Sequence, residues 1–160
     1  MTRNKIPVKS ILLCFGIMIL EIIIVISAFF AYHEIRSYPA VIRANWGLNI
    51  PISSRYSLEY YNDSGPSFHG DGERFCVLSY KREAPIENMV KWADTEGQTR
   101  HNKSYIEAVS EWLDKIEVPK ELRPGYDSCL YWYNTKSDSS EIIIFWDKEA
   151  KLLYVTEQFL

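Results

Sequence analysis

The feature that most constrains this chain is an unbroken apolar run near its N-terminus. Residues 11–32 contain fourteen Ile, Leu, Val or Phe residues and a single charged one, Glu21. A helix rises about 1.5 Å per residue, so this run would be roughly 33 Å long, against a hydrocarbon core of about 30 Å. The run therefore predicts a transmembrane helix at 11–32.

Glu21 lies near the middle of this run, so the cost of inserting it has to be weighed. A central acid opposes insertion by about 2.5–3.5 kcal/mol. The apolar residues favour insertion by roughly 4–8 kcal/mol in total. Membrane insertion of the run is therefore favourable overall. We interpret Glu21 either as a protonated carboxyl bonded within its own helix or as an intramembrane contact with a partner helix.

The charges that flank the run predict its orientation. Residues 1–10 contain Arg3, Lys5 and Lys9 and no acid. The positive-inside rule makes them a cytoplasmic tail and places the C-terminus outside, as in a single-pass protein of the cell membrane. The alternative is a cleaved signal peptide. Against it, the apolar run exceeds the usual length, and the best cleavage site, Ile-Ser-Ala at 26–28, has a bulky residue at position −3.

The charge balance beyond the run limits the partners. From residue 33 onward there are 15 Lys or Arg against 20 Asp or Glu, without a basic stripe. Nucleic-acid binding needs clustered cations, so no nucleic-acid partner is predicted. The predicted partners are the lipid bilayer, through residues 11–32, and a protein in the membrane or outside it.

The remainder of the chain predicts one folded domain. Pro39, Gly47 and Pro51 interrupt regular structure, which indicates a stalk and entry segment at 33–55 and an extracytoplasmic domain at 56–160. Alternating or β-branched runs predict five strands, at 56–61, 74–81, 129–134, 141–147 and 151–157. Residues 147–151 predict a short hairpin loop.

Two helices are predicted between the second and third strands. The first starts at Pro85 and has an apolar face of Ile86, Met89, Val90 and Ala93. After a linker at 97–102, a capping box of Ser104 and Glu107 opens the second, with an apolar stripe of Ile106, Val109, Leu113 and Ile116. The order β-β-α-α-β-β-β predicts an α+β domain with one mainly antiparallel sheet and a helical layer.

The run most suggestive of chemistry lies in the turn-rich segment 62–72. The candidate binding loop consists of Phe68, His69, Gly70, Asp71, Gly72 and Glu73. Because His69, Asp71 and Glu73 alternate, an extended chain would project them to one side, where they can hold a divalent cation. The alternative is a purely structural turn that Gly70 and Gly72 shape, and we favour it. No metal, cofactor or catalytic residue is therefore predicted.

Few other residues point to chemistry. The sequence has three His and none of the Gly-x-Ser-x-Gly, His-Glu-x-x-His or Cys-x-x-Cys motifs. Cys76 and Cys129 lie on predicted strands and can form a disulfide outside the cell or remain two buried thiols. The aromatic run 131–133, together with Trp146, can line a groove or fill the core.

Several pieces of the outer domain resemble an uncharacterised group of small, mostly Gram-positive bacterial proteins with a membrane anchor and a short exported domain. The matching pieces are F-H-G-D-G-E at 68–73, Trp112-Leu113 with Pro119, P-G-Y at 124–126, and the closing hairpin at 142–154. The group usually has Gly-Gly before the Phe-His, where this chain has Pro66-Ser67. The resemblance implies compartment and fold, and no activity.

Together these patterns predict a single-pass membrane protein with a non-enzymatic extracytoplasmic binding or interaction domain. One alternative is a metal-dependent hydrolase that uses His69, Asp71 and Glu73. Another is a small subunit of a membrane complex that docks through Glu21, or an immunity-type protector against a secreted toxin.

Overall fold

The structure is a computed structural model, and it divides the chain into two compact units, Met1–Ile50 and Pro51–Leu160. The residues it describes are 16–28, 37–52, 56–65, 70–94 and 99–160. The predicted cytoplasmic tail at 1–10 lies outside them, as do both ends of the predicted transmembrane helix.

The described residues of the first unit form two helices. Helix α1 comprises residues 16–28, and all of its side chains are exposed. Helix α2, Tyr38–Trp46, has Pro39 in its first turn and ends at Gly47, whose φ is +67°. The N–H of Gly47 donates to the carbonyl of Arg43 at 2.9 Å. Among the described residues, no helix is both long and apolar enough to cross a membrane.

Helix α2 corrects the prediction that 33–55 is an irregular stalk. Pro39 and Gly47 were interpreted as breaks, but here they mark the two ends of one helix. Proline fits the first turn because the amide hydrogen that it lacks has no acceptor there. Glycine fits the position after the last turn because it adopts positive φ at little cost. Between them, Tyr38, Pro39 and Ile42 are buried.

The second unit is built on a six-stranded sheet in the order β1-β2-β6-β5-β4-β3. All neighbouring strands pair antiparallel. The strands are β1 Tyr56–Asp63, β2 Gly72–Tyr80, β3 Ala93–Asp94, β4 Leu130–Thr135, β5 Glu141–Asp147 and β6 Leu152–Phe159. The predicted α+β class with a mainly antiparallel sheet is confirmed, and five of the strands lie where the sequence predicts them.

The first predicted helix is wrong beyond its opening turn. Helix α3 comprises only Ala84–Glu87, and Ala93 pairs with Tyr131 as part of β3. The carbonyl of Ile86 accepts hydrogen bonds from the Met89 N–H at 3.0 Å and from Trp92 Nε1 at 2.9 Å. These donors occupy the acceptor that a continuing helix would offer to residue 90, so the helix ends there.

The second predicted helix is confirmed, but it begins earlier than the sequence indicates. Helix α4 comprises Thr99–Lys115, so Ser104 lies in its second turn and does not cap it. The predicted linker at 97–102 is therefore wrong from residue 99 onward. The buried stripe of the helix supplies its packing energy, because most helical stability in proteins comes from packing an amphipathic face.

Helix α4 covers one face of the sheet, here called the helical face. Its buried stripe packs on alternate residues of the strands; the cluster includes Phe75, Val77, Val109, Trp112, Leu113, Ile116, Tyr131, Ile143, Phe145 and Tyr154. The intervening residues of β5 and β6 point to the opposite face and are buried too. Residues 142–146 of β5 are consequently all buried, because both faces of the central strands are excluded from water.

The C-terminus of α4 is closed by a Schellman motif. The Val118 N–H donates to the Leu113 carbonyl at 2.9 Å, and the Glu117 N–H donates to the Asp114 carbonyl at 3.1 Å. Leu113 and Val118 are both buried, as expected for the apolar contact that accompanies this motif. Glu117 has a φ of +54°, the position that glycine usually occupies.

This position provides a test of the helix end. A residue with a side chain loses about 1–2 kcal/mol of stability in the left-handed region. Glycine avoids this strain, but its greater entropy in the unfolded chain offsets part of the gain. We expect Glu117→Gly to stabilise the full chain by about 0.5 kcal/mol or more. The measurement is urea unfolding in detergent micelles, followed by Trp fluorescence. The control, Glu107→Gly, lies within the helix and should destabilise by about 0.5–1 kcal/mol. Destabilisation by both substitutions would contradict this account of the helix end.

Candidate binding cleft at the β1–β2 turn

A cavity of about 250 Å³ lies where the β1–β2 connection meets the end of β6. It is lined by residues 63–65 and 70–74 together with Phe159, and these residues are here called the polar cleft. The antiparallel register positions them, because Gly72 pairs with Phe159 and Arg74 with Glu157 across β2 and β6.

Ser64 and Glu73 hold the two sides of the connection together. The Ser64 N–H donates to the Glu73 carbonyl at 2.9 Å, and the Glu73 N–H donates to Ser64 Oγ at 3.1 Å. The Gly65 N–H donates to Asp63 Oδ1 at 2.9 Å. The described part of the connection is thus fixed by its own hydrogen bonds.

Two glycines adopt backbone conformations that other residues rarely reach. Gly70 has a φ of +82° and Gly72 a φ of +146°. A Cβ at Gly72 would overlap Ser64 Oγ and lie 3.3 Å from Ser64 Cβ. The serine cannot simply rotate away, because its Oγ accepts the Glu73 N–H. The cleft therefore requires glycine at 72.

Asp63 places a fixed negative charge at the rim of the cleft. The Tyr61 hydroxyl donates to Asp63 Oδ2 at 2.6 Å. This bond, with the one from the Gly65 N–H, lowers the pKa of Asp63. Burial, together with the same aspartate, raises the pKa of Tyr61 to about 12. At neutral pH the pair is therefore a carboxylate that accepts from a neutral phenol.

Arg74 provides a positive charge that is paired beneath the cleft. Its Nη1 lies 3.3 Å from Oε2 of Glu157, whose side chain is completely buried. Its guanidinium also lies 5.1 Å from the ring centroid of Phe159. An isolated buried carboxylate is very costly, so Glu157 depends on this arginine. The Phe159 ring and the Glu157 carboxylate together fix the direction of the Arg74 guanidinium.

Two contacts connect the cleft to the end of α4. Lys115 Nζ lies 3.1 Å from Glu73 Oε1, and only 12% of the Glu73 side chain is exposed. The bond to Glu73 raises the pKa of Lys115. Asn62 Nδ2 donates to the Ile116 carbonyl at 2.7 Å. The cleft is thereby held against both the sheet and the helix.

Four of the six residues of the predicted binding loop line this cleft. They are Gly70, Asp71, Gly72 and Glu73, whereas Phe68 and His69 lie outside the described residues. Asp71 is exposed, but Glu73 is turned to Lys115. In the part of the chain that the structure describes, no three His, Cys, Asp or Glu side chains are placed to hold a metal ion.

The two cysteines singled out by the sequence do not line this cleft. Cys76 and Cys129 are buried and neither is in a disulfide. Cys129 belongs to the cluster under α4, whereas Cys76 alternates with Phe75 and Val77 and points to the other face. Burial raises the pKa of Cys129 to about 12. Glu21 is exposed on α1.

The aromatic run that the sequence singled out is divided between the two faces. Tyr131 and Tyr133 contact Tyr105 of α4, with ring centroids 5.8 and 4.5 Å apart. Trp146 is completely buried and lies on the opposite face with Trp132. These residues therefore do not line one common groove.

Sequence reasoning missed Asp63, Arg74 and Phe159, which line the cleft, and Lys115, which pairs with Glu73 from α4. Only Asp63 had a usable signal, because Asn-Asp-Ser-Gly is typical of a turn in which an aspartate accepts backbone hydrogen bonds. Comparisons with protein families, curated proteins and solved structures found no match to this chain.

The geometry at Gly72 yields a graded stability test. We expect Gly72→Ala to destabilise the full chain by about 2 kcal/mol, because positive φ and the overlap with Ser64 act together. Gly65 also has a positive φ, +78°, but open space around it. Gly65→Ala is therefore expected to destabilise by only about 1 kcal/mol. Gly125→Ala is the control, and its change in the free energy of unfolding should be near zero. Urea midpoints measure all three, and equal effects at 65 and 72 would contradict the overlap.

Proposed function

We propose that the chain is a single-pass membrane protein whose outer domain is a binding module and not an enzyme. Residues 1–10 form the cytoplasmic tail, residues 11–32 cross the bilayer, and residues 33–55 connect them to the domain at 56–160. In this arrangement α2 belongs to the connecting segment, and the polar cleft faces the extracytoplasmic side.

The character of α1 supports membrane anchorage. Its large apolar side chains at residues 17–20 and 22–26 are each between 49% and 68% exposed, around the whole circumference of the helix. A helix that is apolar on all sides needs surroundings without water, and a bilayer supplies them while the helix satisfies its own backbone. The basic residues at 1–10 support the orientation.

The observation that carries the binding role is that three charged side chains of the cleft are already held by partners outside its lining. Arg74 pairs with Glu157, Glu73 with Lys115, and Asp63 accepts from Tyr61. A general base or nucleophile must be able to reach a substrate proton or carbon. Groups that already have partners and are held in place instead offer a rigid, shaped surface for recognition.

The same geometry disfavours the hydrolase alternative. A metal ion on Glu73 would have to displace Lys115, which lies 3.1 Å away. The subunit alternative has one observation in its favour. Glu21 is an exposed carboxyl on an otherwise apolar helix, and such groups commonly contact partner helices.

The topology can be tested with reporter fusions to the full chain. Because residues 1–10 are basic, a C-terminal alkaline phosphatase should be active in a bacterial host, and a C-terminal cytoplasmic reporter should be inactive. The control replaces Arg3, Lys5 and Lys9 with Glu, which should reduce the phosphatase activity. An inactive phosphatase with an active cytoplasmic reporter would refute the orientation.

Photocrosslinking tests the binding role. A benzoylphenylalanine at Asp71 of the full chain in native membranes should give a discrete adduct. The same probe at Glu149, an exposed residue of the β5–β6 turn at the opposite end of the sheet, should give none. A probe at Glu21 distinguishes the alternative: adducts from position 21 alone would favour the subunit function. Equal adducts from 71 and 149 would refute a specific surface at the cleft.

A further inference from the structure

A β-bulge changes the face of one residue in β1. The register with β2 shifts between Leu58, which pairs with Leu78, and Tyr60, which pairs with Val77. Glu59 is the extra residue, so it no longer alternates with Tyr60. Its Oε1 accepts a hydrogen bond from Ser79 Oγ, and Ser79 alternates with Leu78 to share the face of Val77. The bulge thus presents Glu59 on the helical face.

A second cavity, of about 260 Å³, lies on that face and is here called the edge groove. It lies between the strands and the 3-10 turn Lys120–Leu122. Its lining is mostly apolar and comes from Tyr60, Val77, Leu122, Leu152 and Tyr154, with Glu59 and Glu121 as the acidic residues. It shares no residue with the polar cleft.

The strand beside this groove has an open edge. Among the strands of the described residues, β1 pairs with β2 alone and lies at the edge of the sheet. Its other side presents backbone N–H and carbonyl groups to which a further strand can bond. Residues 57–59 of β1 are exposed.

These observations select among the occupants of this edge. A second copy is disfavoured, because antiparallel pairing of two β1 strands about their centre would bring the two Glu59 carboxylates together. A purely apolar side chain would leave Glu59 and Glu121 without a counter-charge. A lysine or arginine suits both features, since its aliphatic stem covers apolar surface while its cationic head reaches an acid.

We propose that an extended segment of a partner protein adds to the edge of β1 and inserts a lysine or arginine side chain into the edge groove. The stem would lie beside Tyr60 and point towards Val77, and the cationic head would meet Glu59 and Glu121. Strand addition supplies affinity through the backbone, and the groove supplies specificity for one side chain. This goes beyond the proposed binding role, because it names a second surface and the chemistry of its occupant.

Labelled peptides test the proposal on the full chain in detergent micelles, with binding followed by fluorescence anisotropy. The first probe is a seven-residue threonine and serine peptide with a central lysine. Two matched probes carry norleucine, which keeps the stem without the charge, or glutamate. A fourth keeps the lysine but has N-methyl groups on alternate backbone nitrogens, which removes donors for strand pairing.

We expect the lysine peptide to bind about fivefold more tightly than the norleucine peptide, as two partly exposed charge pairs allow. The glutamate and N-methylated peptides should bind at least about tenfold more weakly than the lysine peptide. Glu59→Gln with Glu121→Gln should remove the preference for lysine over norleucine and leave norleucine binding unchanged. The control, Glu149→Gln, should preserve the preference.

Stability is checked alongside, because Glu59 accepts a bond from Ser79. If the double variant unfolds, the test uses Glu121→Lys alone. This substitution should weaken binding of the lysine peptide more than binding of the norleucine peptide. Equal affinity for lysine and norleucine, or no effect of N-methylation, would overturn the proposal, as would no binding of the lysine peptide at millimolar concentration. Because the edge groove and the polar cleft share no residue, crosslinking at Asp71 can fail while this test succeeds.

Discussion

The pairing of β2 with β6 is the interaction on which the rest of the second unit, Pro51–Leu160, depends. It joins an N-terminal hairpin, β1–β2, to a C-terminal meander, β4–β5–β6, through eight residue pairs from Gly72–Phe159 to Ser79–Leu152. The cluster under α4 draws on both parts, with Phe75 and Val77 from β2 and Phe145 and Tyr154 from β5 and β6. The cost is entropic, since the paired residues lie far apart in sequence and a long loop must close before they meet.

The polar cleft is a product of this same pairing. Arg74 meets Glu157 and Phe159 only because the two strands are in this register. A shift by one residue would turn Glu157 to the other face and separate it from its arginine. The buried carboxylate thus disfavours wrong registers more than it adds net stability, because burying its charge offsets much of the attraction.

The sequence was informative where the signal is local. Alternation and β-branched runs predicted the strands, and the turn chemistry of Gly70 and Gly72 placed the loop. It failed where the same residues are compatible with two structures. Pro39 and Gly47 lie at the two ends of a helix instead of interrupting one. The apolar residues after Pro85 belong to a single helical turn and a short strand instead of one long helix. Lys115 and Phe159 could not be predicted, because the first meets Glu73 and the second reaches the cleft only through the tertiary fold.

The position of β6 has a consequence for the way the domain is made. It is the last strand of the sheet in sequence but one of the inner strands in space, between β2 and β5. During synthesis, the β1–β2 hairpin emerges before the other strands. The edge of β2 that pairs with β6 stays uncovered until residue 159 has been made. An incomplete nascent chain therefore exposes strand edges, so protection by chaperones during synthesis matters more for this domain than for one that closes from its N-terminus.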